Sequence, residues 1–269
     1  MKNVASRAIS PQWQQVLQQW AAGPAATALS EVCGAANAEA RKKLMESNQQ
    51  VYQALRDYLL WLFHNLCAYC QVDYRSATVQ VEHFRPKSRV TGAKEHPGYY
   101  WLMFDSDNLL PSCSRCNNKK RNRFPVAGQR ALSPQANLNA EQPLLLNPRL
   151  HKIEDHLSVI ADLSDPRFGV IECVNDSLLG KESIGTYGLN DDEKIRARQL
   201  EMRAFLREFK DAFDNAAKRK ELLIELRDGS RQFSFACAAM LNAWLEDLER
   251  QRRAVLDGDV EKDSVLGSH

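Results

Sequence analysis

The sequence predicts an α+β fold that is mostly helical, with a small mixed core between an N-terminal and a C-terminal helical region. Apolar residues recur at helical spacing near both ends of the 269-residue chain, which predicts the helices. Two Cys-x-x-Cys pairs, Cys67/Cys70 and Cys113/Cys116, lie near the limits of the middle segment. Together these observations predict a compact centre with helices on both sides.

The N-terminal helices are predicted from capping residues and periodicity. Ser10 followed by Pro11 is a typical helix start, and Trp13, Leu17 and Trp20 follow it at helical spacing. We expect residues 22–24, Ala-Gly-Pro, to end this helix. A second helix is predicted from about Asn37 to about Asn65, and it leads directly to Cys67.

The second half of the chain predicts short strands and then long helices. Residues 158–160 and 169–174 are rich in β-branched residues and are predicted strands. Asp191 opens a predicted helix to about Arg227, and Gly229-Ser230 separates it from a last helix over about 232–256. Six large apolar residues are assigned to the inner faces of this pair or to a partner surface: Phe205, Phe209, Phe213, Phe235, Met240 and Trp244. The predicted regions are 1–65 (helical), 66–126 (core), 127–190 (irregular with short strands) and 191–266 (helical).

The four paired cysteines predict a structural zinc site. Two Cys-x-x-Cys pairs close a tetrahedral site around Zn²⁺ and leave no open position for chemistry. The alternative, a pair of redox dithiols, would need a thioredoxin-like context that the sequence lacks. Cys33, Cys173 and Cys237 remain as ordinary thiols, and this cysteine usage fits a reducing compartment.

Polar residues between and beside the two pairs predict hydrolytic chemistry. His83 is a candidate general base, because a neutral imidazole accepts a proton from water near neutral pH. Glu82 and Asn117 offer oxygen ligands to a hard cation such as Mg²⁺ or Mn²⁺. Asn108 is expected to hydrogen-bond locally and to hold the loop that carries His83. Glu-His is a common dipeptide by chance. The prediction therefore rests on the order of Glu82, His83, Asn108 and Asn117 between and beside the two cysteine pairs.

The segment from Leu66 to Phe124 resembles the HNH, or ββα-metal, endonucleases that carry a zinc knuckle. The strings CAYC, VEHFRPK and GYYWLMFDSDNLLPSCSRCNNKKRNRFP are most similar to the PtuB-like HNH subunits of Septu and retron-associated anti-phage systems. This resemblance implies a hairpin over about 78–84, a long loop, and a helix from about Cys113. Glu82 replaces the more frequent aspartate and Asn117 the more frequent histidine. Asn118 lies beside Asn117 and could be confused with it.

The resemblance implies a metal-dependent endonuclease that acts in anti-phage defence. Its expected partners are nucleic acid, a PtuA-like ATPase of the SMC family and, in some systems, a retron reverse transcriptase with its msDNA. The chain has no Walker loop, so ATP hydrolysis would come from another chain. The substrate stays open between DNA and RNA such as tRNA. The alternative function is a zinc-ribbon nucleic-acid-binding or scaffold subunit in which Glu82 and His83 are incidental.

Charge near the motif predicts contacts with phosphates. The whole chain is nearly balanced, with 36 Lys and Arg against 34 Asp and Glu. Ten basic and five acidic residues lie between Trp61 and Pro125, however, which leaves a local positive excess. The predicted nucleic-acid contacts are Arg85, Lys87, Lys119, Lys120, Arg121 and Arg123.

The remaining sequence features carry weaker predictions. No apolar run reaches the roughly 18 residues of a membrane span, and no signal-peptide pattern begins the sequence, so we expect a cytoplasmic protein without a membrane partner. His64 and His96 are expected to be packing or surface residues. His151 and His156 are weak functional candidates.

Overall fold

The structure, a computed structural model, describes residue 4 and residues 8–73 and 79–265, with side chains to residue 254. It confirms an α+β fold that is mostly helical and contains two small sheets. In the described part of the chain, no helix has both the length and the apolar character needed to cross a bilayer.

The N-terminal helices pack around the side of the centre that carries the first cysteine pair. Helix α1 spans Pro11–Trp20, and a π-helical turn, Ala21–Ala25, joins it to α2, Ala26–Cys33. The prediction that residues 22–24 end the first helix is therefore wrong. The wider π-turn carries Pro24 within a continuous helical path, although proline lacks the amide donor of a regular turn.

The predicted helix over 37–65 is two helices. Helix α3 spans Ala38–Ser47 and is capped by Asn37, whose side chain accepts a hydrogen bond from the amide of Ala40. Helix α4 spans Val51–Leu62 and buries its apolar stripe, including Leu55 and Leu59. The break at residues 48–50 contains neither glycine nor proline, so local sequence gave no signal for it.

The centre is a ββα unit. Strand β1, Gln80–His83, pairs antiparallel with strand β2, Leu109–Ser112, so that His83 lies opposite Leu109. Helix α5, Ser114–Lys120, follows at once and packs on β1. The prediction of a hairpin within 78–84 is corrected, because the partner strand arrives only after a loop over residues 84–108. Position 78 lies outside the described residues.

The segment after the centre contains a second small sheet and an unpredicted helix. Strands β3, Leu157–Val159, and β4, Ile171–Cys173, pair antiparallel close to the predicted positions. Helix α6, Leu178–Tyr187, was not predicted. Its limits are nevertheless marked in the sequence, since the Ser177 side chain caps its start and Gly188 ends it at φ +58°.

The C-terminal region is built from three helices. The predicted helix over 191–227 divides into α7, Asp192–Asp211, and α8, Ala216–Asp228, which is capped by Asn215. Helix α9 spans Ser234–Val265 and packs on both. Phe205, Phe209 and Met240 are buried there, as expected. Phe213 is 66% exposed, which corrects its assignment to an inner face.

Candidate metal-braced active site

The four paired cysteines form one buried cluster at the end of the ββα unit. Cys67 and Cys70 lie in the turn after α4, and Cys113 and Cys116 begin α5. Their sulfur atoms all lie within 4.8 Å of one another, and Cys70 Sγ is 3.7 Å from Cys113 Sγ. Tetrahedral Zn–S bonds of about 2.3 Å place sulfurs about 3.8 Å apart, so this donor set fits zinc.

The turn that carries Cys67 and Cys70 is held against strand β2. The amide of Ala68 donates to the carbonyl of Pro111 in β2 at 2.9 Å. The amides of Cys113 and Cys116 point at the sulfurs of Cys67 and Cys113, each at 3.4 Å. These contacts stabilise thiolate charge and hold the N-terminal helices to the centre.

Glu82 is buried on the face of β1 that contacts α5. Its Oε1 lies 2.6 Å from Nζ of Lys120, which is itself fully buried and donates a hydrogen bond to the carbonyl of His83 at 2.9 Å. A carboxylate oxygen this close to an ammonium is ion-paired, so Lys120 occupies the position at Oε1 that a metal cation would take. Burial raises the pKa of the Glu82 carboxyl, and the Lys120 ammonium opposes that rise.

His83 projects from the opposite face of β1, toward α4. Its Nε2 lies 3.0 Å from the hydroxyl of Tyr52 and 3.1 Å from the carbonyl oxygen of Met103. A carbonyl can only accept, so Nε2 carries the proton and Nδ1 keeps its lone pair. Burial lowers the pKa of His83 well below its ordinary value, and the charges of Lys87 and Lys120 lower it further. The imidazole is therefore neutral at neutral pH.

Asn108 ties the start of β2 to the chain that leaves β1. Its Oδ1 accepts from the amide of Arg85 at 2.8 Å, and its Nδ2 donates to the carbonyls of Arg85 and Leu102, each at 3.1 Å. The amide of Phe84 also donates to the Asn108 carbonyl. The side chain thus holds Arg85, in the segment that follows His83, through two hydrogen bonds and ties it to Leu102 through a third.

Asn117 lies on the first turns of α5, on the same face of β1 as Glu82. Its Nδ2 donates to Oε1 of Gln80 at 2.7 Å, which leaves Oδ1 as an available acceptor. Gln80 and Glu82 alternate with Val81 along the strand, so both face α5. Asn118, the neighbouring asparagine, is exposed. The structure thus places Glu82 and Asn117 on one side of β1 and His83 on the other.

Several residues predicted to contact nucleic acid are engaged inside the protein. Lys120, expected at the surface, is fully buried against Glu82. The guanidinium of Arg85 contacts the buried carboxylate of Glu141, with Nε 2.8 Å from Oε2. These contacts correct the expectation that the side chains of Lys120 and Arg85 face a phosphate backbone.

The other predicted contacts differ in exposure. Lys119 is exposed and lies 3.1 Å from a carboxylate oxygen of Asp191. Arg121 and Arg123 are largely exposed. Lys87 is mostly buried, its Nζ lies 3.4 Å from the Tyr52 hydroxyl, and burial lowers the pKa of its ammonium to about 8.

Sequence reasoning missed Tyr52 and Glu141. Tyr52 is a buried residue of α4 whose hydroxyl also donates to the Met103 carbonyl at 3.2 Å. Glu141 is fully buried and accepts from Arg85, from the Tyr99 hydroxyl and from the amide of Ala131. Both act through partners far away in the sequence, so no local pattern could have revealed them.

The histidines outside the motif have structural contacts. The ring of His96 contacts the Ala131 carbonyl through Nε2 and accepts from the amide of Gly98 through Nδ1. His151 Nδ1 accepts from the amide of Asn147, and His156 Nδ1 contacts the hydroxyl of Ser177. These contacts give each of the three rings a local packing role.

The chain is similar to two Septu subunits of Bacillus mycoides (strain KBAB4). It is 34% identical to Septu protein PtuB over 154 residues, which cover 54% of this chain and 50% of that protein. It is 28% identical to Septu protein PtuA over 123 residues, 42% of this chain and 17% of that protein. A Septu protein PtuB of Bacillus thuringiensis is 42% identical over 64 residues, 23% of this chain and 21% of that protein.

These similarities are partial, since the chain spans half the length of the first PtuB and a smaller share of the other two proteins. No protein-family model matches the chain. No solved structure matches it either. The similarity to PtuB over about half of this chain nevertheless supports descent from a common ancestor, and the chain is homologous to Septu protein PtuB.

Proposed function

We propose that this protein is a metal-dependent HNH endonuclease that hydrolyses phosphodiester bonds of nucleic acid as an effector of anti-phage defence. The observation that carries the proposal is the ββα unit itself. A cysteine cluster whose geometry fits zinc closes it, and β1 carries Glu82 and His83 as neighbours whose side chains leave the strand on opposite faces. Homology to Septu proteins supports the defence role.

His83 is suited to act as the general base. Its neutral imidazole would accept a proton from the attacking water at Nδ1. The Met103 carbonyl, 3.1 Å from Nε2, would hold the ring and stabilise the imidazolium that forms. Tyr52 supports the same nitrogen from α4 and thereby keeps the ring from rotating.

Glu82 and Asn117 would hold a catalytic Mg²⁺ or Mn²⁺ through their side-chain oxygens. Such an ion, when bound, stabilises the developing negative charge and the leaving oxygen. The donors for such an ion are the Glu82 carboxylate, whose Oε1 is paired with the Lys120 ammonium, and Oδ1 of Asn117. Lys120 would have to share or release Glu82 when the cation binds, because its ammonium lies at the same oxygen. Asn108 would keep the segment around His83 in place.

A PtuA-like ATPase is the proposed partner. The similarity of this chain to a segment of Septu PtuA, together with its homology to PtuB, supports a role beside such a partner. The sequence contains no Walker loop, so ATP-dependent control would come from the partner. A retron reverse transcriptase with its msDNA, and a cytoplasmic location, stay predictions.

Cleavage assays on the purified chain test the proposal. Plasmid DNA and total tRNA are incubated in parallel with Mg²⁺ or Mn²⁺, with the chain alone and with the PtuA-like ATPase. Wild type is compared with His83→Ala and with the matched control His156→Ala, which removes a histidine outside the motif. We expect metal-dependent cleavage that is lost only in His83→Ala, and the substrate that is cut identifies the nucleic acid.

A scaffold function is the second candidate. It is favoured by the pairing of Glu82 with Lys120 and by the near-complete burial of His83. If the wild type, with zinc bound and the ATPase present, cleaves neither substrate, the result would contradict the nuclease function and support a scaffold function.

A further inference from the structure

A cleft of about 660 Å³ opens between α3 and the loop over residues 84–108. Five basic residues line it, two from α3 and three from the loop: Arg41, Lys42, Lys87, Arg89 and Lys94. Glu46 is the acidic residue among the lining side chains. The cleft is therefore strongly positive.

Two further clefts continue the first around the loop. The second, about 360 Å³, shares Arg89 and Lys94 with the first. The third, about 690 Å³, shares Thr91 and Gly92 with the second and adds three basic residues and one acidic residue: Arg123, Arg130, Lys181 and Glu182. Because neighbouring clefts share lining residues, the three adjoin along one stretch of the surface, here called the basic path.

The charge of the basic path exceeds that of the whole chain. Eight basic and two acidic residues line its three clefts, an excess of six positive charges, whereas the chain carries a formal net charge of +2. The positive charge is thus concentrated on one surface. An elongated positive surface of this kind attracts a polyanion and positions its phosphates.

Two cations of the basic path are available for an external ligand. The side chains of Arg89 and Lys94 are exposed and form no ion pair within the described part of the chain. By contrast, Arg85 and Lys120 are each bound to a buried carboxylate.

The first cleft leads to the candidate general base. Lys87 lines the cleft, and its Nζ lies 3.4 Å from the hydroxyl of Tyr52. That hydroxyl in turn lies 3.0 Å from Nε2 of His83. A strand lying in the path would therefore run past the residues that support His83.

We propose that the basic path binds the phosphate backbone of a nucleic-acid strand and leads it to His83 from the α3 side. This proposal rests on the nuclease function proposed above and assigns the substrate surface to α3 and the loop over 84–108. Helix α5 contributes less to this substrate surface, since its Lys120 is buried. The tip of the loop is open to a strand, because no atom lies within 4 Å of a Cβ built on Gly92.

Binding of labelled nucleic acid tests the proposal separately from cleavage. Fluorescence anisotropy is measured with single-stranded DNA, double-stranded DNA and tRNA at several salt concentrations, with every variant in a His83→Ala background. The path variant is Arg89→Glu with Lys94→Glu. The control is Arg207→Glu with Lys220→Glu, two exposed residues on α7 and α8 outside the path that give the same change in net charge. Melting temperature and zinc content confirm that each variant is folded.

We expect the path variant to bind roughly tenfold or more weakly, with a reduced salt dependence, because two phosphate contacts become repulsive. The control should bind within about twofold of its parent, since distant exposed charges are screened. Comparing the affinities of the three probes shows whether the path prefers DNA or RNA. Equal weakening in both variants, or no binding of any probe by the parent, would overturn the proposal. So would competition by free ATP that matches competition by unlabelled strand, because the path would then be a nucleotide site.

The same substitutions, made in a chain that keeps His83, distinguish the two proposals. If cleavage depends on His83 but is equal in the path variant and the control, the proposed nuclease function is supported and the proposed role of the basic path is rejected. Binding that depends on Arg89 and Lys94, without cleavage by the wild type, would keep the path and reject the nuclease.

Discussion

Lys87→Met should stabilise the protein at neutral pH. The folded protein holds the Lys87 ammonium in a mostly buried position, where burial lowers its pKa from 10.5 to about 8. A difference of that size corresponds to about 3 kcal/mol of destabilisation at pH 7. The Lys87→Met variant loses a long hydrogen bond to Tyr52 and a cation–π contact in which Nζ lies 5.0 Å from the centroid of the Tyr52 ring. Together these two contacts contribute about 1–2 kcal/mol to the stability of the wild type. The expected net gain is about 1–2 kcal/mol.

The gain should depend on pH with a definite sign. Between about pH 8 and 10.5 the unfolded chain holds the Lys87 proton that the folded protein has released, so the wild type becomes more stable as pH rises. The penalty is fully present below about pH 8 and disappears above 10.5. The advantage of Lys87→Met should therefore be largest at pH 7 and shrink toward pH 10.

Urea unfolding of the two proteins at pH 7 and pH 10 measures both effects. Lys94→Met is the matched control, because Lys94 lies on the same loop but is exposed, and it should change stability by less than about 0.5 kcal/mol. A less stable Lys87→Met protein at pH 7, or an advantage that grows with pH, would refute the reasoning. Weaker nucleic-acid binding by the stabilised variant would show that Lys87 is retained for function.

Three further substitutions test the zinc cluster, the buried ion pair and the support of the base. Cys113→Ser should lower both the yield of soluble protein and its zinc content, because structural zinc contributes on the order of 10 kcal/mol to folding. His83→Ala should stay folded with zinc bound. Equal yields and zinc contents in the two variants would contradict this. Glu141→Gln should lower the free energy of unfolding in urea by about 3–5 kcal/mol, since it leaves Arg85 unpaired. Tyr52→Phe should slow single-turnover cleavage by roughly tenfold or more with little change in melting temperature; unchanged cleavage would argue against its support of His83.

Helix limits were predictable where capping residues mark them. The start of α1 at Pro11 follows from its proline. The break between α7 and α8 was missed although Asn215 caps α8, because the charged pattern continues through it. The break between α3 and α4 has no comparable mark. The first turn of α4 is instead held from α1, where the Trp20 indole donates to the Val51 carbonyl at 2.8 Å, a contact between residues 31 positions apart.

The sequence by itself determined the cysteine cluster and the order of the motif residues. Cys-x-x-Cys spacing places two sulfurs on one turn, so the pairing of Cys67 and Cys70 with Cys113 and Cys116 was readable without coordinates. The mostly helical composition was readable for a similar reason, since periodicity is a property of neighbouring residues.

Only the tertiary structure decided which charges face solvent and which support the site. Lys120 and Arg89 look alike in the sequence, yet one is buried against Glu82 and the other is exposed on the basic path. Likewise, Tyr52 reaches His83 only because α4 packs against the centre. Burial and ion pairing depend on residues brought together from distant parts of the chain, and a local pattern does not contain that information.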